Sequence, residues 1–362
     1  MKRVNNFYAG PSALPTEVME KAQQELLDFA GTGMSVMEIS HRSAAYDQVH
    51  NGAREKIRNL LGLDDGYHVL FLQGGASMQF AMVPMNLLGK GKKAHYLMTG
   101  TWSDKALKEA ERFGVTETTS AKDDSGAYTR IPASDQIRVD PACVYCHITS
   151  NNTVCGTQWQ QFPDTGGVPL VADMSSDILS RKMDVSPFGL IYAGAQKNLG
   201  PAGLAVVILR QDLLEQASAE LPTLLRYATH VEKGSLFNTP PTFTVYMMNL
   251  VLEWILNKGG LEEMERRNRE KANALYGLID SCPDFFRSPV DKAARSLMNV
   301  VFRLPSTELE SELVAEAEKN DFIGIKGHRS VGGIRVSMYN AAAPRIIHEL
   351  VDFLKDFAEK KA

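Results

Sequence analysis

Nowhere does the chain contain an apolar run of the roughly 18–20 residues that a membrane-spanning helix requires, so no transmembrane segment is expected. Basic residues open the chain in Met1-Lys-Arg-Val-Asn-Asn6, but no apolar stretch follows them, and no secretory signal is expected either. A cytoplasmic protein without a membrane partner is the resulting expectation. Positive charge is not in excess: 39 Lys and Arg stand against 43 Asp and Glu, which gives nucleic acid no electrostatic handle. Cysteine is scarce, at four residues in 362. Two of them form Cys143-Val-Tyr-Cys146-His147, a match to the C-x-x-C-H attachment pattern of c-type haem. Haem attachment requires export, and residues three apart on a strand point to opposite faces, so the segment reads as a buried strand. With no second Cys/His pair at ligand spacing, no metal site is expected. Internal repeats and low-complexity segments are missing as well.

What is present describes an ordinary globular chain, 44% hydrophobic and 23% charged, long enough for one large domain and a smaller one. Gly10-Pro11-Ser12 and Leu14-Pro15 open it as an extended arm, and a helical stretch begins at Thr16. A second helix is expected near 43–61. Short apolar strands then alternate with helices: strands at 67–72, 94–98, 142–148, 168–172, 189–193 and 204–209, and a helix at 103–113 with Ser103 as N-cap. That alternation predicts an α/β fold with a mostly parallel sheet covered on both faces. After Asn238-Thr-Pro-Pro241 the pattern changes to helices at 243–257 and 260–280, strands at 297–304 and 334–339, and a helix at 307–319 between those strands. The closing helix repeats Ile346, Ile347, Leu350, Val351, Leu354 and Phe357 at helical spacing. Residues 16–257 are expected to form the large domain, and residues 1–15 and 258–362 a smaller α+β domain.

The loops after four of these strands carry chemistry. Gln73-Gly-Gly-Ala-Ser77 joins a strand to a helix, where glycines and a helix N-terminus favour an anion. Trp102 follows the 94–98 strand and offers a flat ring for stacking. Val168-Pro-Leu-Val-Ala-Asp173 ends on a carboxylate, and Lys197 follows the 189–193 strand in a turn rich in Gly and Pro. Any one of these is more often a turn former, a cap or a surface group. Together, at strand ends where α/β sheets bind ligands, they match the needs of a pyridoxal-phosphate enzyme. The amine forms the Schiff base, and the carboxylate keeps the pyridinium nitrogen protonated so that the ring accepts carbanion charge. His41-Arg42, His328-Arg329 and the glycine-flanked Arg335 point to an anionic substrate.

The chain resembles the class V aminotransferases of fold-type I nearly from end to end. The resemblance rests on Gly10-Pro11, Ser40-His41-Arg42, Gly74-Gly75, Ala172-Asp173, Tyr192-Ala-Gly-Ala-Gln-Lys-Asn198, Phe237-Asn-Thr-Pro-Pro-Thr242 and Lys326-Gly-His-Arg329. It implies that Lys197 carries pyridoxal 5'-phosphate, that Asp173 partners the ring nitrogen, that Trp102 stacks on the ring and that Thr153 bonds its phenolic oxygen. Ala76, Ser77 and Gln196 would hold the cofactor phosphate, joined by Asn238 and Thr239 from the second subunit of a homodimer with shared active sites. Arg335 would take the substrate α-carboxylate. His41 and Arg42, with His328 and Arg329 from the partner chain, would take the substrate phosphate or the glutamate side-chain carboxylate.

The implied reaction is reversible transamination between glutamate and 3-phosphonooxypyruvate, giving O-phospho-L-serine and 2-oxoglutarate. A parallel role toward 4-phosphohydroxythreonine in pyridoxine synthesis is also implied. Two departures stand out: Ser77 occupies a position where some members place arginine, and Ala9 one where many place serine. A cysteine desulfurase of the same group would need a nucleophilic thiol. Cys155 and Cys282 are the candidates, neither with an activating environment visible in sequence. A dehydrogenase using the Gly74-Gly75 turn is disfavoured because G-x-G-x-x-G is absent there.

Overall fold

The strand Leu204–Arg210 shows how the molecule is layered. Along it Leu204, Val206 and Ile208 enter one apolar cluster while Val207 and Leu209 enter another. Side chains alternate across a strand, so a run that is apolar throughout requires cover on both faces. The computed structural model describes residues 3–361 and meets that requirement. Met1, Lys2 and Ala362, which the sequence assigns to the small domain, lie outside the described residues.

In chain order the strands are β1 (Asn5–Asn6), β2 (Tyr67–Gln73), β3 (Lys93–Met98), β4 (Val115–Ser120), β5 (Cys143–Thr149), β6 (Leu170–Asp173), β7 (Phe188–Gly194), β8 (Leu204–Arg210), β9 (Asn299–Phe302), β10 (Phe322–Ile323) and β11 (Ile334–Ser337). The α-helices are α1 (Thr16–Gln24), α2 (Ala44–Leu61), α3 (Gly75–Leu87), α4 (Thr101–Ala110), α5 (Gln211–Leu214), α6 (Tyr227–Glu232), α7 (Thr242–Asn257), α8 (Gly260–Ser281), α9 (Thr307–Lys319) and α10 (Pro344–Lys361). A seven-stranded sheet runs in the order β2-β8-β7-β6-β5-β3-β4. Neighbours from β7 to β4 pair in parallel, and β8 alone runs against both of its neighbours. The sheet is therefore mixed, with one reversed strand, because only nine residues join β7 to β8. A link that short returns the chain antiparallel, whereas a parallel return needs a crossover. Helices α2 and α7 pack on one face, and α3 and α4 on the other.

The remaining chain builds a second apolar cluster from α8, β9, β11, α9 and α10, which Phe7 of the N-terminal arm also enters. We propose residue 258 as the approximate domain boundary, supported by this separate core, although Leu261 and Met264 still pack on the large one. Among the described residues no helix is long and apolar enough to cross a membrane.

Three local expectations need correction. Ser103 does not cap α4, which begins at Thr101 after Gly100. From the first turn its Oγ reaches back to accept the Thr99 and Gly100 N–H groups and donates to the Gly100 carbonyl. Strand β4, Val-Thr-Glu-Thr-Thr-Ser, was not anticipated because this edge strand is half-exposed and lacks an apolar run. Cys143 and Cys146 do not face opposite ways. Between them one residue of β3 opposes two of β5, and this bulge brings both thiols into the same apolar cluster. No group of three metal-ligating side chains forms among the described residues. His147 is buried, stacked on Tyr96 at 4.8 Å and hydrogen-bonded to the Tyr192 hydroxyl at 3.0 Å. Burial pushes its pKa down to about 3.

Candidate active site

Every parallel strand that leads into the site ends at the same edge of the sheet. The loops there enclose a cavity of about 450 Å³. Its wall includes Ala76 and Ser77 after β2, Trp102 after β3, Thr153 after β5, Asp173 at the end of β6, and Gln196 and Lys197 after β7. His328 and Arg335 of the smaller domain complete it. Seven of the residues expected to hold a cofactor, and two of those expected to hold substrate, thus meet in one cavity.

Asp173 is buried, and its Oδ1 accepts the Ser175 N–H at 2.9 Å and the Ser175 hydroxyl at 2.5 Å. Burial raises its pKa, and the nearby Lys197 amine opposes that rise. The Lys197 amine is depressed to about 8, first by burial and further by Arg335, against the pull of Asp173 and Asp177. It lies 5.8 Å from the Trp102 ring centroid. Trp102 is held by an Nε1–H bond to Thr153 Oγ1 at 3.1 Å, and Arg335 Nη1 donates to the Thr153 carbonyl at 3.1 Å. One loop therefore orients both the stacking ring and the guanidinium.

The residues present fit a pyridoxal phosphate. The Asp173 carboxylate has one oxygen engaged by Ser175, leaving the other to accept a ring N–H. Thr149 Oγ1 is buried without a hydrogen-bond partner while lining the cavity. Helix α3 starts here with no side-chain cap and no acid in its first turn, which leaves its N–H groups for a phosphate. Gly74 and Gly75 make this possible at φ of 89° and 61°, left-handed conformations that a side chain strains. A Cβ on Gly74 would also come 2.8 Å from Met78 Cβ.

Several expected residues stand apart. Asn238 and Thr239 do not line the cavity of their own chain, although the Thr239 carbonyl accepts from Gln73 Nε2 at 2.8 Å. His41, Arg42 and Arg329 are also absent from its wall; Arg42 and Arg329 are exposed, and His41 Nε2 is buried without a partner. His328 lines the cavity of its own chain, where the resemblance had implied the partner chain.

Some contributors were not singled out from sequence. Ser12 donates its N–H to the Gln196 carbonyl at 3.0 Å and its hydroxyl to the Lys197 carbonyl at 2.6 Å, tying the arm to the lysine turn. Ser175, which holds the Asp173 carboxylate, is another such residue. Lys105, one turn after Trp102 on α4, sits 4.3 Å from the Trp102 ring centroid. With Arg335 and Arg329 it adds to the burial that depresses the His328 imidazole. Its i, i+3 spacing from Trp102 was the available signal. Cys155 is no activated nucleophile, since burial pushes its thiol up.

A buried lysine and a buried aspartate share one strand-end cavity with an aromatic ring, and the chain belongs to the class V aminotransferase family, whose model matches residues 4–350. The phosphoserine aminotransferase of Geobacillus kaustophilus is 56% identical over 362 residues, covering 100% of both chains. The solved phosphoserine aminotransferase from Bacillus circulans subsp. alkalophilus superposes with a TM-score of 0.97 at 51% identity, covering 100% of both chains. A PLP-bound phosphoserine aminotransferase from Trichomonas vaginalis matches at 38% identity and a TM-score of 0.91, over 98% of this chain and 100% of that one.

Proposed function

We propose that this chain is a pyridoxal-phosphate-dependent phosphoserine aminotransferase, exchanging an amino group between glutamate and 3-phosphonooxypyruvate. The observation that carries the reading is the cavity in which Lys197, Asp173 and Trp102 converge beneath His328 and Arg335. Full-length identity to phosphoserine aminotransferases supports it. When bound, the cofactor supplies an electron sink for the substrate Cα carbanion. The protein's own groups set the rest. Asp173, buried and held by Ser175, keeps a negative charge facing the ring nitrogen. Lys197, whose amine burial depresses to about 8, would serve as the base that takes the substrate Cα proton. Arg335 takes the α-carboxylate in a bidentate fork.

The far end of the substrate is assigned to His328, Arg329 and Lys105, with His41 and Arg42 reaching in from a second subunit. Asn238 and Thr239 are assigned to the cofactor phosphate of that second subunit. Support for a homodimer lies in the absence of these four residues from the wall of their own cavity. Lys105 offers the cation that Ser77, standing where some members carry arginine, does not supply.

Steady-state assays with glutamate and paired acceptors, with and without the phosphate, test the substrate. Removing the phosphate is expected to lower kcat/KM by at least about a hundredfold, the loss of two or more charge-assisted contacts. Equal turnover of both acceptors would overturn the reading. 4-Phosphohydroxythreonine belongs in the same assay as a second phosphorylated donor.

A further inference from the structure

A second polar cavity, of about 320 Å³, opens where the N-terminal arm meets α7, α8 and the start of α10. Its charged lining is Arg3, Lys258, Arg267 and Arg345 against the single carboxylate of Glu17. Two of these cations are already paired. Lys258 holds Glu17 at 3.0 Å, and Arg345 pairs with Glu349. The other two form no ion pair among the described residues, although Arg267 lies within the electrostatic reach of Glu263. Arg3 donates only to neutral oxygens, the Leu14 carbonyl at 3.3 Å and Thr16 Oγ1 at 2.7 Å. Arg267 makes no hydrogen bond or ion pair among the described residues. It rests 5.9 Å from the Trp254 ring centroid, and its Nε is buried without a partner.

Two independent features of the wall agree. One is the Arg267 Nε–H, buried with no acceptor, whereas the nearly buried Trp254 Nε1–H has the Glu17 carboxylate beside it. Buried donors in native proteins are nearly always satisfied, so the orphan guanidinium asks for an acceptor. Ala343, Arg345 and Ile346 place the N-terminus of the 18-residue α10 on the same cavity. That terminus has no acid in its first turn and carries Arg345 instead. A cation there opposes the helix dipole, an arrangement that a bound anion reverses.

We infer that this cavity is an anion-binding site, separate from the active site, that takes a small metabolite bearing a compact oxyanion, phosphate or carboxylate. The guanidinium groups of Arg267 and Arg3 grip the anion, and the Arg345 N–H is the helix donor left to it, since Pro344 has no N–H and the Ile346 N–H bonds the Ala343 carbonyl at 3.0 Å. Its volume is at the lower end of small-molecule sites, larger than a bare phosphate needs. The inference does not depend on which substrate the active site turns over.

Equilibrium dialysis of the cofactor-loaded enzyme against labelled inorganic phosphate, and separately against succinate, tests it. An Arg42→Gln background suppresses the anion contacts proposed for the active site. Arg267→Met is expected to weaken binding of at least one probe about tenfold or more, the loss of a charge-assisted fork. Arg3→Gln, at an exposed position that spares folding, is expected to weaken the same probe, and Lys319→Gln on α9 to leave it unchanged. Far-ultraviolet circular dichroism and cofactor absorbance verify that each variant is folded and loaded. Binding of both probes that is the same in the Arg42→Gln background and in both arginine variants would overturn the proposal, as would the absence of any binding that depends on Arg267 or Arg3.

Discussion

Lys197 owes its chemistry to where its amine is kept. A surface lysine titrates near 10.5, and burial in the cavity brings this one to about 8. In cofactor-free protein, the acylation rate of Lys197 should rise with pH and level off above about 8. Site-resolved mass spectrometry would follow this, with exposed lysines still accelerating beyond that point. A single common profile for all lysines would contradict the depression. The same shift makes the cofactor-free fold more stable as pH rises from about 8 towards 10.5. In that window the unfolded chain binds the proton that the folded cavity refuses. Sequence named Lys197, Asp173 and Trp102 because each is a chemically distinctive group placed just past an apolar strand. It gave no role to Ser175, Ser12 or Lys105, since Ser and Lys are common in turns and on helix surfaces. Only their partners set them apart.

At the scale of elements, caps and turns do the positioning. Helix α2 begins with Ser43, whose side chain accepts the Tyr46 N–H at 3.3 Å, and ends at Gly62 with φ of 62°. That cap also fixes the exit of His41-Arg42, the segment assigned to a neighbouring site. Ser43→Ala should cost about 1 kcal/mol, read as a lower midpoint in urea unfolding, because it orphans a first-turn N–H. An unchanged midpoint would show that the cap contributes nothing. Helix boundaries marked by Gly62 and by Gly259-Gly260 were legible because a left-handed residue ends or starts a helix locally. The start of α4 was not, since Ser103 serves Gly100 from inside the first turn rather than ahead of it. The β5 bulge was equally hidden: a register shift is a property of two strands, and neither sequence declares it.

At the scale of the whole molecule, buried polar residues lock the lysine turn to the smaller domain. The Asn340 N–H donates to Asn198 Oδ1 at 3.0 Å, next to Lys197. Asn268 and Lys271 of α8 hold the same segment through Asn340 Oδ1 and the carbonyls of Met338 and Tyr339, at 2.7–2.8 Å. Burial drives the Lys271 amine well below its usual value. The proposed dimer has its own test. Inactive Lys197→Ala and Arg42→Ala chains, unfolded and refolded together, should regain about a quarter of wild-type activity. Random pairing makes half the dimers hybrid, each with one intact shared site. No recovery would place Arg42 in the site of its own chain.

The sequence by itself determined the alternating strand and helix order and the residue types standing at the strand ends. Apolar periodicity and turn residues are local signals, and cofactor chemistry narrows the choice of amine, carboxylate and ring. Tertiary structure alone decided that one loop holds both Trp102 and Arg335, and that His328 enters its own chain's cavity. It alone left Arg267 without a hydrogen bond or ion pair among the described residues, on the wall of a second cavity. Those outcomes depend on contacts between segments far apart in the chain, which no window of sequence contains.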